Sequence, residues 1–412
     1  MTLVLRTFSF DHMASLVSAP ASLARVVRPL HGENELDQLL DLVAEARIVL
    51  LGSASYGTHE HYDLRASLTR KLIGERGFAA VVVEGDWPDA LRVDRYVRNQ
   101  SDDDDARVAL TGFDHFPAWA YRNEDVMRFV DWLHTQNCIR RAPERVGFYG
   151  LDLFSMNAAM RAMKTHLDVS NDDLIAELCD MQWRHAARSG RAPSGEAWLK
   201  AIQRASGLHA SAYYRMLLAG GHQSSNLRTT HMADTLDMLA RELGTDGEAA
   251  KLVVWAHNTH VGDARAITGE HTRTSLGQVV RERHGEACAL VGFTTYEGTV
   301  QLATEWDEPA NEERLPPSHP ASWEALFHEL GVPRFMVTAS ALRRAHGEQA
   351  AKLHRAIGAV MRADPYYETR LTEHYDLVVH VDSTRAVTTI VDDSAEESRT
   401  MSLEGDVRTS AH

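Results

Sequence analysis

Residues 47–60 read RIVLLGSASYGTHE, and the choice of fold turns on them. The stretch 47–51 (RIVLL) is an apolar run of strand length, rich in β-branched and large aliphatic side chains. At Gly52 it breaks into small polar residues, and a helical pattern then occupies 59–75. A continuous apolar run, without alternation, marks a strand buried on both faces, as in a parallel sheet. The same change of pattern recurs at 79–88 (AAVVVEGDWP), leading into a helix over 87–98, and at 251–263 (KLVVWAHNTHVGD). Further strands are expected at 145–151 (RVGFYGL), 287–293 (ACALVGF) and 375–381 (YDLVVHV), and helices at 35–45, 124–137 and 274–284. This alternation predicts an α/β fold with a largely parallel central sheet flanked by helices.

From about 155 to 243 the pattern is helical throughout, with Asp234, Asp237 and Arg241 on one face and Leu236, Leu239 and Ala240 on another. This reads as an all-helical insertion covering the cleft. The run Asp102–Asp105 reads as a solvated loop. Residues 1–26 are taken as an N-terminal extension, 27–391 as the α/β domain and 392–412, polar and aperiodic, as a disordered tail.

The 412 residues carry 43 Lys+Arg against 58 Asp+Glu, a formal net charge of −15, which argues against a nucleic-acid partner. Cys138, Cys179 and Cys288 are odd in number and widely spaced, so neither a disulfide framework nor a cysteine zinc site is expected, and a reducing cytoplasm fits them. No apolar run reaches the ~20 residues of a membrane helix. Asp11 and His12 interrupt the first apolar stretches, which argues against a secretory signal. A small-molecule substrate is the expected partner.

In an open α/β sheet, ligands bind beyond the carboxyl ends of the strands. Three such ends here are unusually polar: Ser53, Ser55, Tyr56 and His59 after the first strand, Glu84 and Asp86 after the second, His257 and His260 after the third. Each has an ordinary explanation: a capped turn, a surface ion pair, a histidine pair with no partner ligand. The first loop lacks GxGxxG, GK[ST] and GxSxG, which excludes a dinucleotide fingerprint, a P-loop and a nucleophile elbow. The clustering at three strand ends is the signal.

The order IVLLG-x-A-x-x-GTHEHYDLRASLTRKLI, VVVEGDWPDALRVDRYV, FPAWAYRNEDVMRFVDWL, WAHNTHVGDAR resembles the erythromycin esterase family over nearly the whole chain, in particular its bacterial branch of succinoglycan-biosynthesis homologues. The resemblance implies an α/β core with a helical insertion and, as in family esterases, a metal-independent hydrolysis without a cofactor. The family's first motif, GE[AG][ST]HG, carries a glutamate and a histidine proposed as the base that activates water. Ser53 and Tyr56 occupy those positions here, while Arg65, Glu84, His257 and His260 match family positions. Asn226 to Arg228 also match, though the aspartate expected next is Thr229.

A phenol, with a reference pKa of about 10, is a poor substitute for an imidazole base at about 6.5, but it can donate to an oxyanion. The expected catalytic set is therefore His257 or His260 as base, Glu84 orienting or protonating, and Tyr56 and Arg65 as donors. Ser53, Ser55, His59, Asp86 and Arg228 are expected to contact substrate. The expected function is an esterase-like enzyme with an altered site, hydrolytic or repurposed to cyclisation, elimination or acyl transfer. Non-catalytic binding in the same cleft is one alternative. A metal held by His257, His260 and Glu84, with His59 as an optional fourth ligand, is another, and Ser53 or Ser55 as a nucleophile is a minor third.

Overall fold

The computed structural model describes residues 21–30, 32–153, 197–218, 223–269, 273–347 and 350–390. The strands are β1 (Arg28–Pro29), β2 (Ile48–Leu51), β3 (Phe78–Asp86), β4 (Gly147–Asp152), β5 (Lys251–Trp255), β6 (Cys288–Ala303), β7 (Ala310–Leu315), β8 (Arg334–Thr338), β9 (Lys352–Arg355), β10 (Tyr366–Thr369) and β11 (Leu377–Thr384). Strands β9 and β10 form a separate antiparallel ribbon. The others build one sheet in the order β1-β8-β11-β6-β2-β5-β3-β4, with β7 beside the far end of β6. From β11 to β4 every pairing is parallel. Strands β1, β7 and β8 pair antiparallel.

All six strands expected from the sequence are present. Strand β8 was not anticipated, and β6 runs ten residues further than the expected 287–293, to Ala303. The reason is compositional: past Phe293 the strand reads TTYEGTVQLA, a half-polar sequence whose apolar residues pack in a small hairpin rather than in the buried sheet.

Alternating side chains send each parallel strand into two layers. Val49, Leu51, Val81, Val83, Val253 and Val291 face one layer, where they meet Leu39 and Leu40 of α1 (Glu33–Val43), Leu68 and Leu72 of α2 (His59–Arg76), Val93 of α3 (Trp87–Val97) and, beyond the short α4 (Ala106–Leu110), Phe129 of α5 (Glu124–Cys138). Ile48, Leu50, Ala80, Val82, Leu252 and Val254 face the other, against Leu23 and the second group of helices. These are α6 (Ala197–Leu218), α7 (Gln223–Glu242), α8 (Asn258–Val261), α9 (Leu276–His284), α10 (Trp323–His328), α11 (Ala339–His346) and α12 (Leu371–His374).

Residues 154–196 of the expected insertion, and the expected tail at 392–412, lie outside the described residues. The helices α6 and α7 are there, and the polar face of α7 is not simply solvated. Asp234 and Asp237 pair with Arg283, and Asp237 with His284, so the two helices α7 and α9 are clamped together. The acidic loop is likewise tied down: Asp103 pairs with Arg92 at 2.7 Å, and Asp105 caps α4 by accepting from the Val108 amide at 2.9 Å. Among the described residues no helix is long and apolar enough to cross a membrane.

Strand β2 stops at Leu51, level with the end of β5 at Trp255, while β6 runs on, leaving a gap beside it in the sheet. Asn258 fills it. Its Nδ2 donates to the Phe293 carbonyl at 2.6 Å, its Oδ1 accepts from the Phe293 amide at 3.2 Å, and its own amide donates to Ser53 O at 2.8 Å. Gly52 is required alongside, because a Cβ there would lie 2.1 Å from Asn258 Oδ1. Replacing Asn258→Asp removes the donor and sets a carboxylate against a buried carbonyl. Unfolding free energy from urea titration is expected to fall by about 2–4 kcal/mol; unchanged stability would show that Asn258 does not close the sheet.

Candidate active site

The polar ends of β2, β3, β4 and β5 converge on Glu84. Its carboxylate is 3 % exposed and is held from four directions. Oε1 accepts from Tyr56 Oη at 2.9 Å and Arg228 Nη2 at 3.0 Å, and lies 3.1 Å from His260 Nε2. Oε2 accepts from the backbone amide of His257 at 2.7 Å. Burial pushes this carboxyl upward, but His260, Arg228 and the His257 amide outweigh it and hold the group well below the usual carboxylate range. Glu84 is an anion at neutral pH. That removes the protonating role expected of it and leaves the orienting one.

Arg228 reaches the site from α7. Its Nε donates to Asp152 Oδ1 at 2.6 Å and its Nη2 to Asp152 Oδ2 at 2.5 Å, a two-point clasp that also engages Glu84. Asp152 was missed by the sequence reading, which ended the strand at Leu151. The available signal was an acid directly after an apolar strand, the same signal that identified Glu84. Tyr121 was missed too; its hydroxyl donates to Glu84 O at 2.5 Å.

The two histidines differ in kind. His257 Nε2 lies 3.2 Å from Ala54 O and 3.1 Å from Ile357 O; both only accept, so this nitrogen carries the proton. Its Nδ1 then accepts from the Thr259 amide at 3.3 Å and hydroxyl at 2.8 Å. Burial lowers its pKa to about 4. With both nitrogens engaged and the ring stacked on Tyr56 at 5.0 Å, His257 is a strut, not the expected base.

His260 is 17 % exposed in its side chain, and Glu84 is the nearer of its two contacts, Arg228 Nη1 being 3.3 Å away. Nε2 thus faces both the Glu84 acceptor and the Arg228 donor, and Nδ1 is a bare lone pair only in the tautomer that carries the proton on Nε2, toward the anion. Nδ1 has no hydrogen-bond partner among the described residues.

Tyr56 is half-buried, and desolvation followed by the neighbouring Glu84 charge raises its pKa well above the usual value, so it stays a donor. Arg65 is 4 % exposed, lies 4.3 Å over the Tyr62 ring and 5.2 Å from that of Trp255, and makes no ion pair among the described residues. It lines a cavity of about 10 Å³ with Ser53, Ser55, Tyr56, Glu84 and His257. Asp86 lines an adjoining cavity of about 50 Å³ with Glu84, Asp152, Phe116 and Tyr121.

Ser53 is not poised to attack. Its hydroxyl donates to the Ser55 carbonyl, so it accepts from His61 Nδ1 at 3.1 Å, the reverse of nucleophile activation. Ser55 Oγ pairs with Thr58 and accepts from the Gly57 amide, bracing the turn. His59 leaves the cluster altogether: its Nδ1 sits 2.8 Å from Asp125, on a rim with Arg128 and Arg385. His59 is therefore not placed to be the optional fourth metal ligand beside Glu84, and among the described residues no three His, Cys, Asp or Glu side chains converge as a ligand set.

The family model of erythromycin esterase matches residues 73–187 and 170–384. The chain belongs to the erythromycin esterase family. Among solved structures it is similar to a succinoglycan biosynthesis protein, at TM-score 0.67 and 21% identity over 90% of this chain and 97% of that one. It is also similar to a Bacillus cereus protein, at TM-score 0.61 and 17% identity over 93% and 100% of the two chains. A mutant of the erythromycin esterase EreC in its open conformation matches at TM-score 0.61 and 18% identity, over 90% and 98%. At these identities the structures establish a shared fold.

Burial lowers the pKa of His61 to about 3, of His257 to about 4 and of His374 to about 3. Unfolded histidines titrate near ~6.5, so between there and about pH 4 the unfolded chain takes up protons that the folded chain refuses. Stability therefore falls as pH drops through that window, with Glu84 adding to the loss further down. His59, raised by its hydrogen bond to Asp125, acts in the opposite sense. Urea titrations at pH 7, 6 and 5 should show a steadily falling midpoint; a flat profile would mean these histidines are not buried neutral.

Proposed function

We propose that this member of the erythromycin esterase family is a hydrolase of small ester or lactone substrates, with His260 as general base. The observation that supports it most is the Glu84–His260 contact, which fixes the ring and leaves Nδ1 unpaired and partly exposed. In this reading Nδ1 removes a proton from water as the water oxygen attacks the ester carbonyl. The imidazolium is stabilised by the Glu84 anion. The oxyanion is met by Arg228 and by the Tyr56 hydroxyl, which turns to it from Glu84, with Arg65 behind them. The imidazolium then returns its proton to the departing alkoxide, so that acid and alcohol leave and the base is regenerated. The residues themselves supply base and donors, consistent with metal-independent chemistry.

A second reading is favoured by the mutual satisfaction of Tyr56, Glu84, Arg228 and Asp152: a closed polar network is also what a non-catalytic binding cleft would hold. One experiment separates them. With erythromycin and a panel of aryl esters, the wild type should turn over at least one ester, and His260→Gln should lower kcat by roughly 10²–10⁴ with KM and melting temperature nearly unchanged. Binding without turnover supports the second reading, and a fully active His260→Gln variant overturns the first. Tyr56→Phe should reduce turnover by roughly 10²–10³, whereas His257→Ala should chiefly lower stability.

A further inference from the structure

On the other side of Ile357 from the cluster around Glu84 lies an open groove of about 290 Å³ between the β6–β7 hairpin and residues 357–366. Its floor is apolar: Leu302, Leu315 and Ile357, with Val300, form a small cluster separate from the two main layers. Beneath it sits Arg355, 3 % exposed. Its Nε donates to Tyr366 Oη at 2.9 Å, Nη1 to Tyr296 O at 3.0 Å and Nη2 to Pro316 O at 2.9 Å. All three acceptors are neutral, and Arg355 makes no ion pair among the described residues. A buried guanidinium without a carboxylate is costly, and two of its five N–H groups remain for a further acceptor. The other charged or titratable side chains lining the groove are His319, Arg362 and Tyr366, and no Asp or Glu lines it, although the chain as a whole carries a net charge of −15.

We infer that this groove is a binding site for a small apolar carboxylate, an alkyl or aryl chain with a single anionic head. The chain lies on Leu302, Leu315 and Ile357, and the carboxylate meets Arg355 and Arg362. The volume suits a ligand of modest size. Ile357 is the shared wall. Its amide donates to Ala54 O at 2.7 Å and its carbonyl accepts from His257 Nε2 at 3.1 Å, so an occupant presses on the loop that carries Tyr56. Binding here does not depend on catalysis at His260.

Octanoate is the probe, with octanol as its neutral counterpart, titrated into full-length protein labelled at Ile, Leu and Val methyls. Saturable shifts are expected at Leu302, Leu315, Ile357 and Val360, with octanol at least about tenfold weaker. Arg362→Glu, an exposed change, should weaken octanoate by roughly three- to tenfold, and Arg355→Met by more if it folds. No saturable shift at those methyls, equal binding of octanol, or an Arg362→Glu variant that binds as the wild type would each overturn the assignment.

Discussion

A carboxylate buried at the end of a parallel strand has to be compensated, and in this protein the demand falls on Glu84. Strand β3 delivers it to the interior with almost no exposure, and the chain answers with a backbone amide from the turn after β5, a phenol from the loop after β2 and a guanidinium from α7. Removing any one of these would leave a charge or donor unpaired in a low-dielectric interior, where breaking such a contact is far more disruptive than making it is stabilising. The network therefore fixes how the four strand ends and α7 meet. It also fixes the imidazole of His260, because the same oxygen that holds Arg228 holds the ring.

Arg228 ties the helical region to the sheet through this anion. Its clasp on Asp152 accounts for one acidic charge and its contact with Glu84 for the other, so a single guanidinium serves two strands. Asn258 performs the neutral counterpart of the same task, pairing the main chain of β6 where β2 has ended. Between them, the loop that carries Ser53 and Tyr56 is held closed by its own hydroxyls, so that these serines brace the turn.

Much of this was legible in one dimension. Unbroken apolar runs gave the parallel strands, because only a strand covered on both faces can be apolar at every position. Polar residues directly after those runs gave Ser53, Tyr56, Glu84 and His257, because strand ends in such sheets open onto the ligand crevice. What failed to show were elements whose stability comes from partners remote in sequence. Strand β8 and the outer half of β6 are half-polar and acquire their pairing from β11 and β7. Asp152 is one acid after a strand, with nothing local to say that an arginine 76 residues later would claim it.

The sequence by itself determined the α/β class, the family and the set of strand ends from which a site could be built, since these follow from local pattern and extended motifs. Only the tertiary structure decided the roles within that set. His257 and His260 are three residues apart and chemically identical, yet one is saturated by two carbonyls and a threonine while the other faces a carboxylate with a nitrogen to spare. His59, equally polar and equally close to the loop, is turned away to Asp125. A side chain's protonation and reach depend on what surrounds it in space, and the groups that surround these histidines come from positions as distant as Ala54, Asp125 and Ile357.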